Sequence, residues 1–196
     1  MDNKTAKFYD RFSILYPIVD LFLKPQKRRL AEEVNALPSG LLLEIGVGNG
    51  SQLPLYKKHE IIGIDTSQKM LEIAQQHNRA NIQLMEMDGQ QLLFPDQTFD
   101  YIILSHVIAV VENPDLLLRE AHRVLKPNGK ILILNHFTPN NWLRYIDHVF
   151  SYYSKAFHFK SKFEIDHLIA INLFELNKEI SLGYFSYFKL LIYSKK

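Results

Sequence analysis

Residues 41–51 read Leu-Leu-Leu-Glu-Ile-Gly-Val-Gly-Asn-Gly-Ser, and this stretch decides the fold. Leu41–Ile45 is a short apolar run of the kind that makes a strand buried on both faces. Gly46, Gly48 and Gly50 follow at every second position. After a strand, such a cluster lets the chain turn sharply and lets a ligand approach the backbone. A helix starting just beyond would offer unpaired N–H groups. The spacing is G-x-G-x-G, with Ser51 where a dinucleotide fingerprint would place its third glycine. Glu44 stands at the entrance to the turn. An acid there suits a cationic ligand better than a pyrophosphate. Taken alone, the turn leaves ligand binding and a tight loop equally open.

Outward from this point the chain alternates strands and helices. Upstream, Lys4 to Leu37 reads as helix, with Pro17 and Pro25 breaking it into pieces. Downstream, Ser51–Lys58 suits a short helix disturbed at Pro54. Strands are expected at Glu60–Ile64, Asn81–Met87, Phe99–Leu104 and Lys130–Leu134. Helices are expected at Ser67–His77 and Pro114–Leu125, the latter ended by Lys126-Pro127-Asn128-Gly129. This rhythm predicts βαβ units and a parallel sheet covered on both faces. A further helix is expected near Lys162–Asn172. Glu175–Ser181 and Ser186–Tyr193 then follow, separated only by a turn containing Gly183. Runs that close together pair antiparallel, because a parallel crossover needs about a dozen residues.

The whole chain of 196 residues is 47% hydrophobic and 22% charged, with net charge +2 and no cysteine. One domain with a full core is expected. The missing cysteines exclude a disulfide scaffold, a thiol nucleophile, an iron–sulfur cluster and a thiolate zinc site. The near-neutral charge argues against a nucleic-acid partner. The eight histidines show no H-x-x-x-H spacing, so no metal site is expected. No apolar run is long enough to cross a bilayer, and the N-terminus lacks the pattern of a signal peptide. A cytoplasmic chain is expected, with peripheral contact to the inner face of an anionic membrane as one option.

Two more acids stand at strand ends. Asp65 ends the second strand, where a carboxylate can accept from both ribose hydroxyls of an adenosine or cap the next helix. Asp88 ends the third and could take the exocyclic amine of adenine, or serve as an ordinary turn residue. Together with Glu44, they line the crevice where open α/β sheets bind ligands.

With these residues in view, the chain resembles the class I S-adenosylmethionine-dependent methyltransferases. The resemblance is carried by Glu44–Gly50, Asp65 with Thr66-Ser67-Gln68-Lys69-Met70-Leu71, Asp88-Gly89, Phe94-Pro95-Asp96 leading to Phe99-Asp100, and Arg123–Gly129. It implies a Rossmann-like, seven-stranded, mostly parallel α/β sheet with a C-terminal antiparallel hairpin and helices on both faces. It also implies S-adenosylmethionine as cofactor and S-adenosylhomocysteine as product. Gly46 and Gly48 would face the methionine part, with Val47, Asn49 and Gly50 completing the turn. Asp65 would hold the ribose, Met70 would pack near the adenine and Asp88 would bind its amine, with Glu44, Thr66 and Gly89 belonging to the same cofactor site. Ser105 and His106 would line the cofactor and substrate site. Asn49 stands where Thr or Ser is common, and Gly89 where Ala is common.

Within that family, Phe8–Tyr16 is similar to the N-terminal motif of bacterial phosphatidylethanolamine N-methyltransferases. His106–Val111 and Ile133–Phe137 resemble the same group, and quinone-biosynthesis methyltransferases share part of the pattern. Residues 137–163 hold nine of the 24 aromatic residues and four basic residues against one acid. Rings and cations together suit a lipid headgroup interface, or equally an aromatic core under a lid. The expected organisation is one domain: a helical cap over 1–37, a cofactor core over 38–136, a substrate lid over 137–172 and the hairpin over 173–196. An amine acceptor must lose its proton before attack. Tyr9, Tyr16, His106 and His136 are candidates to orient it or take that proton. Arg11 and Arg144 are candidates to pair a substrate phosphate. The acceptor is a phospholipid amine or a soluble small molecule such as a quinone precursor; the third alternative is a non-catalytic cofactor-binding module.

Overall fold

β1 (Leu41–Ile45) is the strand from which the sheet is built, hydrogen-bonded in parallel to β2 (Glu60–Asp65) and β4 (Phe99–Ser105). The computed structural model describes residues 16–77, 79–136, 165–182 and 188–196. β3 (Ile82–Glu86) extends the parallel set beyond β2, and β5 (Leu125–His136) extends it beyond β4. β6 (Phe174–Leu182) and β7 (Phe188–Lys195) are antiparallel, and β7 also pairs antiparallel with β5. The sheet has seven strands in the order β3-β2-β1-β4-β5-β7-β6. This is the mostly parallel sheet with a C-terminal antiparallel hairpin that the sequence predicts.

Side chains along a strand alternate between faces, so the central strands feed two cores. On one face Leu43, Ile45, Ile102, Leu104, Ile131 and Ile133 pack against α3 (Pro114–Val124), which contributes Leu117, Leu118, Ala121 and Val124. On the other face Leu42, Ile61, Ile103, Leu132 and Leu134 meet Leu30, Ala31 and Val34 of α1 (Tyr16–Ala36), together with Tyr56. Helices on both faces remove nearly all of these side chains from water, which is the main favourable term in folding.

Several element boundaries differ from expectation. α1 runs unbroken through Pro25. Pro17 sits in its first turn, where no backbone donor is needed. Pro25 removes one interior hydrogen bond. The buried Leu30 and Val34, and the ion pairs of Arg29 with Glu32 and Glu33, hold the helix together beyond it. The expected helix over Ser51–Lys58 is only a 3-10 turn, Leu53–Leu55, with Pro54 at its start. The expected helix near Lys162–Asn172 is, among the described residues, two 3-10 turns, Ile165–His167 and Ile169–Leu173. Asp115 accepts from the Ala170 N–H at 2.6 Å and pins the second turn to α3.

α2 (Gln68–Ala74) is shorter than expected and continues as a 3-10 turn to His77. Ser67 caps it, accepting from Met70 N at 3.2 Å. Asn113 caps α3 in the same way, accepting from Leu116 N at 3.0 Å. β5 starts earlier than predicted because Leu125 already pairs with Phe99. The expected turn at Lys126–Gly129 survives as an excursion before pairing resumes at Tyr101 and Lys130. Asn128 takes φ +61° there, a backbone region that Asn tolerates better than most residues. No described helix is long and apolar enough to cross a membrane.

Candidate cofactor and active site

The glycine turn is built as its spacing suggests. Gly46, Gly48 and Gly50 take φ of +74°, +54° and +71°. A side chain at Gly50 would also place its Cβ 2.7 Å from Ala74 Cβ and 2.9 Å from Ala74 Cα. No rotamer change relieves contact with backbone, so α2 can approach the turn only across a glycine. The turn is fixed to β2 by Gly46 N–H and Val47 N–H, which both donate to Ile64 O, at 2.8 and 3.0 Å.

Asp65 ends β2 and serves both loops. Its Oδ2 accepts from Gly48 N–H at 2.8 Å and its Oδ1 from Ser67 N–H at 2.9 Å. Burial pushes its carboxyl above the ordinary carboxylate range, opposed by the N–H donors of Ser67, Gly48 and Thr66. Each carboxylate oxygen has a second lone pair. The group can therefore hold the turn and still accept from two neighbouring hydroxyls.

A cleft of about 740 Å³, counting the space at its open mouth, lies along the carboxyl ends of β1, β2 and β4. Gly46, Gly48, Asp65, Thr66, Met70, Asp88, Gly89, Ser105 and His106 line it, nine of the residues expected there. The sequence reading missed its apolar walls, formed by Ile45, Met87, Val107, Val110 and Val111. Val110 and Val111 end the apolar run that follows β4, and that run was the available signal. These walls suit the two faces of a flat heterocycle. Gly89 is fixed by packing: a Cβ there would lie 2.5 Å from Ile45 Cγ2 and 2.9 Å from Leu117 Cδ1.

Gln90 ties the two sides of that end of the cleft together. Its N–H and its Nε2 donate to Asp88 Oδ1, at 2.9 and 3.2 Å. Its Oε1 accepts from Asn113 N at 2.8 Å. The next loop is held by Arg123, which donates to the carbonyls of Leu92 and Phe94 and to Glu120 and Asp96.

Glu44 does not line the cleft. It projects to the α1 face of the sheet and is 2% exposed, with Oε2 lacking a hydrogen-bond partner. Burial raises its pKa to about 7, with Lys27 and Tyr56 pulling the other way. Lys27 donates to Ser51 Oγ at 3.0 Å, tying α1 to the end of the glycine turn. Val47, Asn49 and Gly50 also lie outside the lining. Asn49 instead closes the turn, its Oδ1 accepting from Ser51 N–H at 3.1 Å.

His106 takes φ +59° at the end of β4, and its N–H donates to Leu134 O at 2.7 Å. Its ring meets Phe188 edge-on, with centroids 5.7 Å apart. His136 ends β5 opposite Phe188, and Tyr16 opens α1. The side chains of Tyr16 and His136, and the whole of Tyr9, Arg11 and Arg144, lie outside the described residues.

The comparisons with known proteins agree with this geometry. Residues 43–133 match the family model described as a methyltransferase domain. The chain is 34% identical over 141 residues to a phosphatidylethanolamine N-methyltransferase of Cereibacter sphaeroides, covering 69% of each protein. It is 29% identical over 169 residues to a demethylmenaquinone methyltransferase of Thermotoga maritima, covering 80% of this chain and 73% of the relative. A solved structure from Thermotoga maritima, described as a SAM-dependent methyltransferase and possible histamine N-methyltransferase, superposes with a TM-score of 0.76. It covers 97% of this chain and 99% of its own at 23% identity, a likeness of fold. With the sheet order, the glycine turn and these relatives together, the chain belongs to the class I methyltransferases.

Proposed function

We propose that this protein transfers a methyl group from S-adenosylmethionine to the amine of phosphatidylethanolamine or a related phospholipid at a membrane surface. The cofactor reading is carried by Asp65, whose two oxygens are already held by Gly48 and Ser67 N–H at the mouth of an apolar-walled cleft. Such a site fits an adenosyl group: a ribose on Asp65, the ring between Met70, Met87 and the Val110–Val111 segment, and the exocyclic amine toward Asp88. The sulfonium donor supplies an activated methyl group, so the protein's task is mainly alignment. His106, at the cleft wall, is the described candidate to orient the acceptor amine or take its proton.

The phospholipid acceptor is supported by the similarity to the phosphatidylethanolamine-methylating relative over more than two thirds of this chain. Lys24 and Arg28 on the exposed side of α1 offer cations to phosphate headgroups. Arg11, Arg144 and the aromatic stretch 137–163 belong to the same reading. A quinone precursor is the second reading, favoured by the demethylmenaquinone-methylating relative, which matches 80% of the chain.

Transfer of a radiolabelled methyl group tests both. Vesicles containing phosphatidylethanolamine and an anionic lipid are compared with demethylmenaquinone, reduced to its quinol with dithionite, in neutral phosphatidylcholine vesicles. Label in the ethanolamine lipid supports the first reading and label in the quinone the second. Tight binding of S-adenosylhomocysteine without transfer to any lipid, quinol or amine pool would favour a non-catalytic binding module.

A further inference from the structure

Beneath the glycine turn lies a side chain that the functional reading does not use. Gln52 follows the turn, carries no charge, and is 2% exposed. Its Oε1 accepts from the Ser105 hydroxyl at 3.1 Å, a contact between residues 53 positions apart. Ser105 in turn lines the cleft. With Oε1 on Ser105, the other end of the Gln52 amide is on the side of the buried Tyr56 hydroxyl, which neighbours Glu44. Neither Gln52 Nε2 nor Tyr56 OH completes a hydrogen bond of good geometry. The buried carboxylate and phenol on that side favour the donor end of the amide there. That leaves the acceptor end for Ser105.

This orientation has a chemical consequence at the cleft. A serine hydroxyl has one proton and two lone pairs. With its proton committed to Gln52, Ser105 presents lone pairs to a ligand and acts as an acceptor. An ammonium is a donor only, and a carboxylate is an acceptor only. We infer that Gln52 is a positioning residue that fixes Ser105 as an acceptor for the α-ammonium at the methionine end of the cofactor. Without Gln52 the hydroxyl can turn its proton into the cleft, where it would oppose the ammonium. The inference rests on the cofactor reading above and goes beyond it by naming which charged group meets which wall.

Two ligands separate this role from simple support of the turn. S-adenosylhomocysteine carries the amino-acid end, whereas methylthioadenosine has the same adenosine and thioether without it. Calorimetry of both on the full chain is the measurement. Gln52→Met keeps the bulk of the side chain and removes its polarity. It is expected to weaken S-adenosylhomocysteine about tenfold, the scale of one hydrogen bond to a charged group, and to leave methylthioadenosine unchanged. Ser105→Ala should do the same, and the double variant should be no weaker than either single one. If Gln52→Met does not fold, Ser105→Ala carries the same comparison. Equal weakening of both ligands, no weakening of either, or multiplied effects in the double variant would overturn the inference. Failure of the unmodified protein to bind either ligand would instead overturn the cofactor reading, and this inference with it.

Discussion

The backbone N–H of Gly48 donates to Asp65 Oδ2 at 2.8 Å, so the glycine turn after β1 and the acid at the end of β2 form one unit. Asp65→Ala therefore removes both the proposed ribose acceptor and the peg that shapes the turn. S-adenosylhomocysteine affinity is expected to fall by about two orders of magnitude, corresponding to roughly 3 kcal/mol. Asp65→Asn should fall nearly as far, because an amide N–H₂ must face one of the two backbone N–H donors. Isothermal titration checks both, and an unchanged affinity in Asp65→Asn would show that the acceptor geometry is not required.

Gly89→Ala is a packing test. The added Cβ meets Ile45 Cγ2 at 2.5 Å and Leu117 Cδ1 at 2.9 Å, and both side chains belong to the buried core. Overpacking of this kind costs about 1–3 kcal/mol. Urea unfolding should show that loss. A neutral result would mean that Ile45 and Leu117 can shift without strain.

Glu44 gives a pH test. Its pKa of about 7 lies above the ordinary value of 4.5, so between those values the native state binds the proton more tightly than the unfolded chain. Its contribution to stability is fully present below about pH 4.5 and is lost as pH rises through about 7. The loss is roughly 3 kcal/mol for a shift of this size. Glu44→Gln should be more stable than the unmodified protein at pH 8, and this advantage should shrink toward pH 5. Denaturant midpoints at the two pH values measure it; parallel curves would show that Glu44 titrates normally.

Gln90→Ala cuts the tie between Asp88 and Asn113 without touching Ser105 or Gln52, at the end of the cleft proposed for the cofactor's amino acid. Both S-adenosylhomocysteine and methylthioadenosine should weaken by a similar factor, about three- to tenfold. This is the opposite pattern to that expected of Gln52→Met, and the same calorimetric pair reads it.

The strands were legible because their apolar runs are short, end in acids or glycines, and recur at βαβ spacing. Asp65, Asp88 and the glycine turn were legible for the same reason: they sit where strands stop. The direction of Glu44 could have been read from period two. It shares a face with Leu42, whereas Ile45, its neighbour, lines the cleft. The continuity of α1 through Pro25 was not legible, because burial of Leu30 and Val34 against the sheet outweighs a local rule. Gln52 was not legible either. Its partner lies 53 residues away, and only the parallel pairing of β1 with β4 brings Ser105 alongside the turn.

The strand order makes one part of the sheet depend on another. β7 follows β6 along the chain yet lies inside it in the sheet, and β6 pairs with β7 alone. Residues 174–182 thus have no seat until residues 188–195 exist to provide one. β4 meets β1 and β7 meets β5 across comparable lengths of chain, as Leu42 with Tyr101 and His136 with Phe188 show. β6 therefore reaches the sheet only through β7, and so does the Lys178–Glu33 ion pair at 2.9 Å that joins β6 to α1. The helix over residues 16–36 is thereby tied to an edge strand whose own place depends on β7.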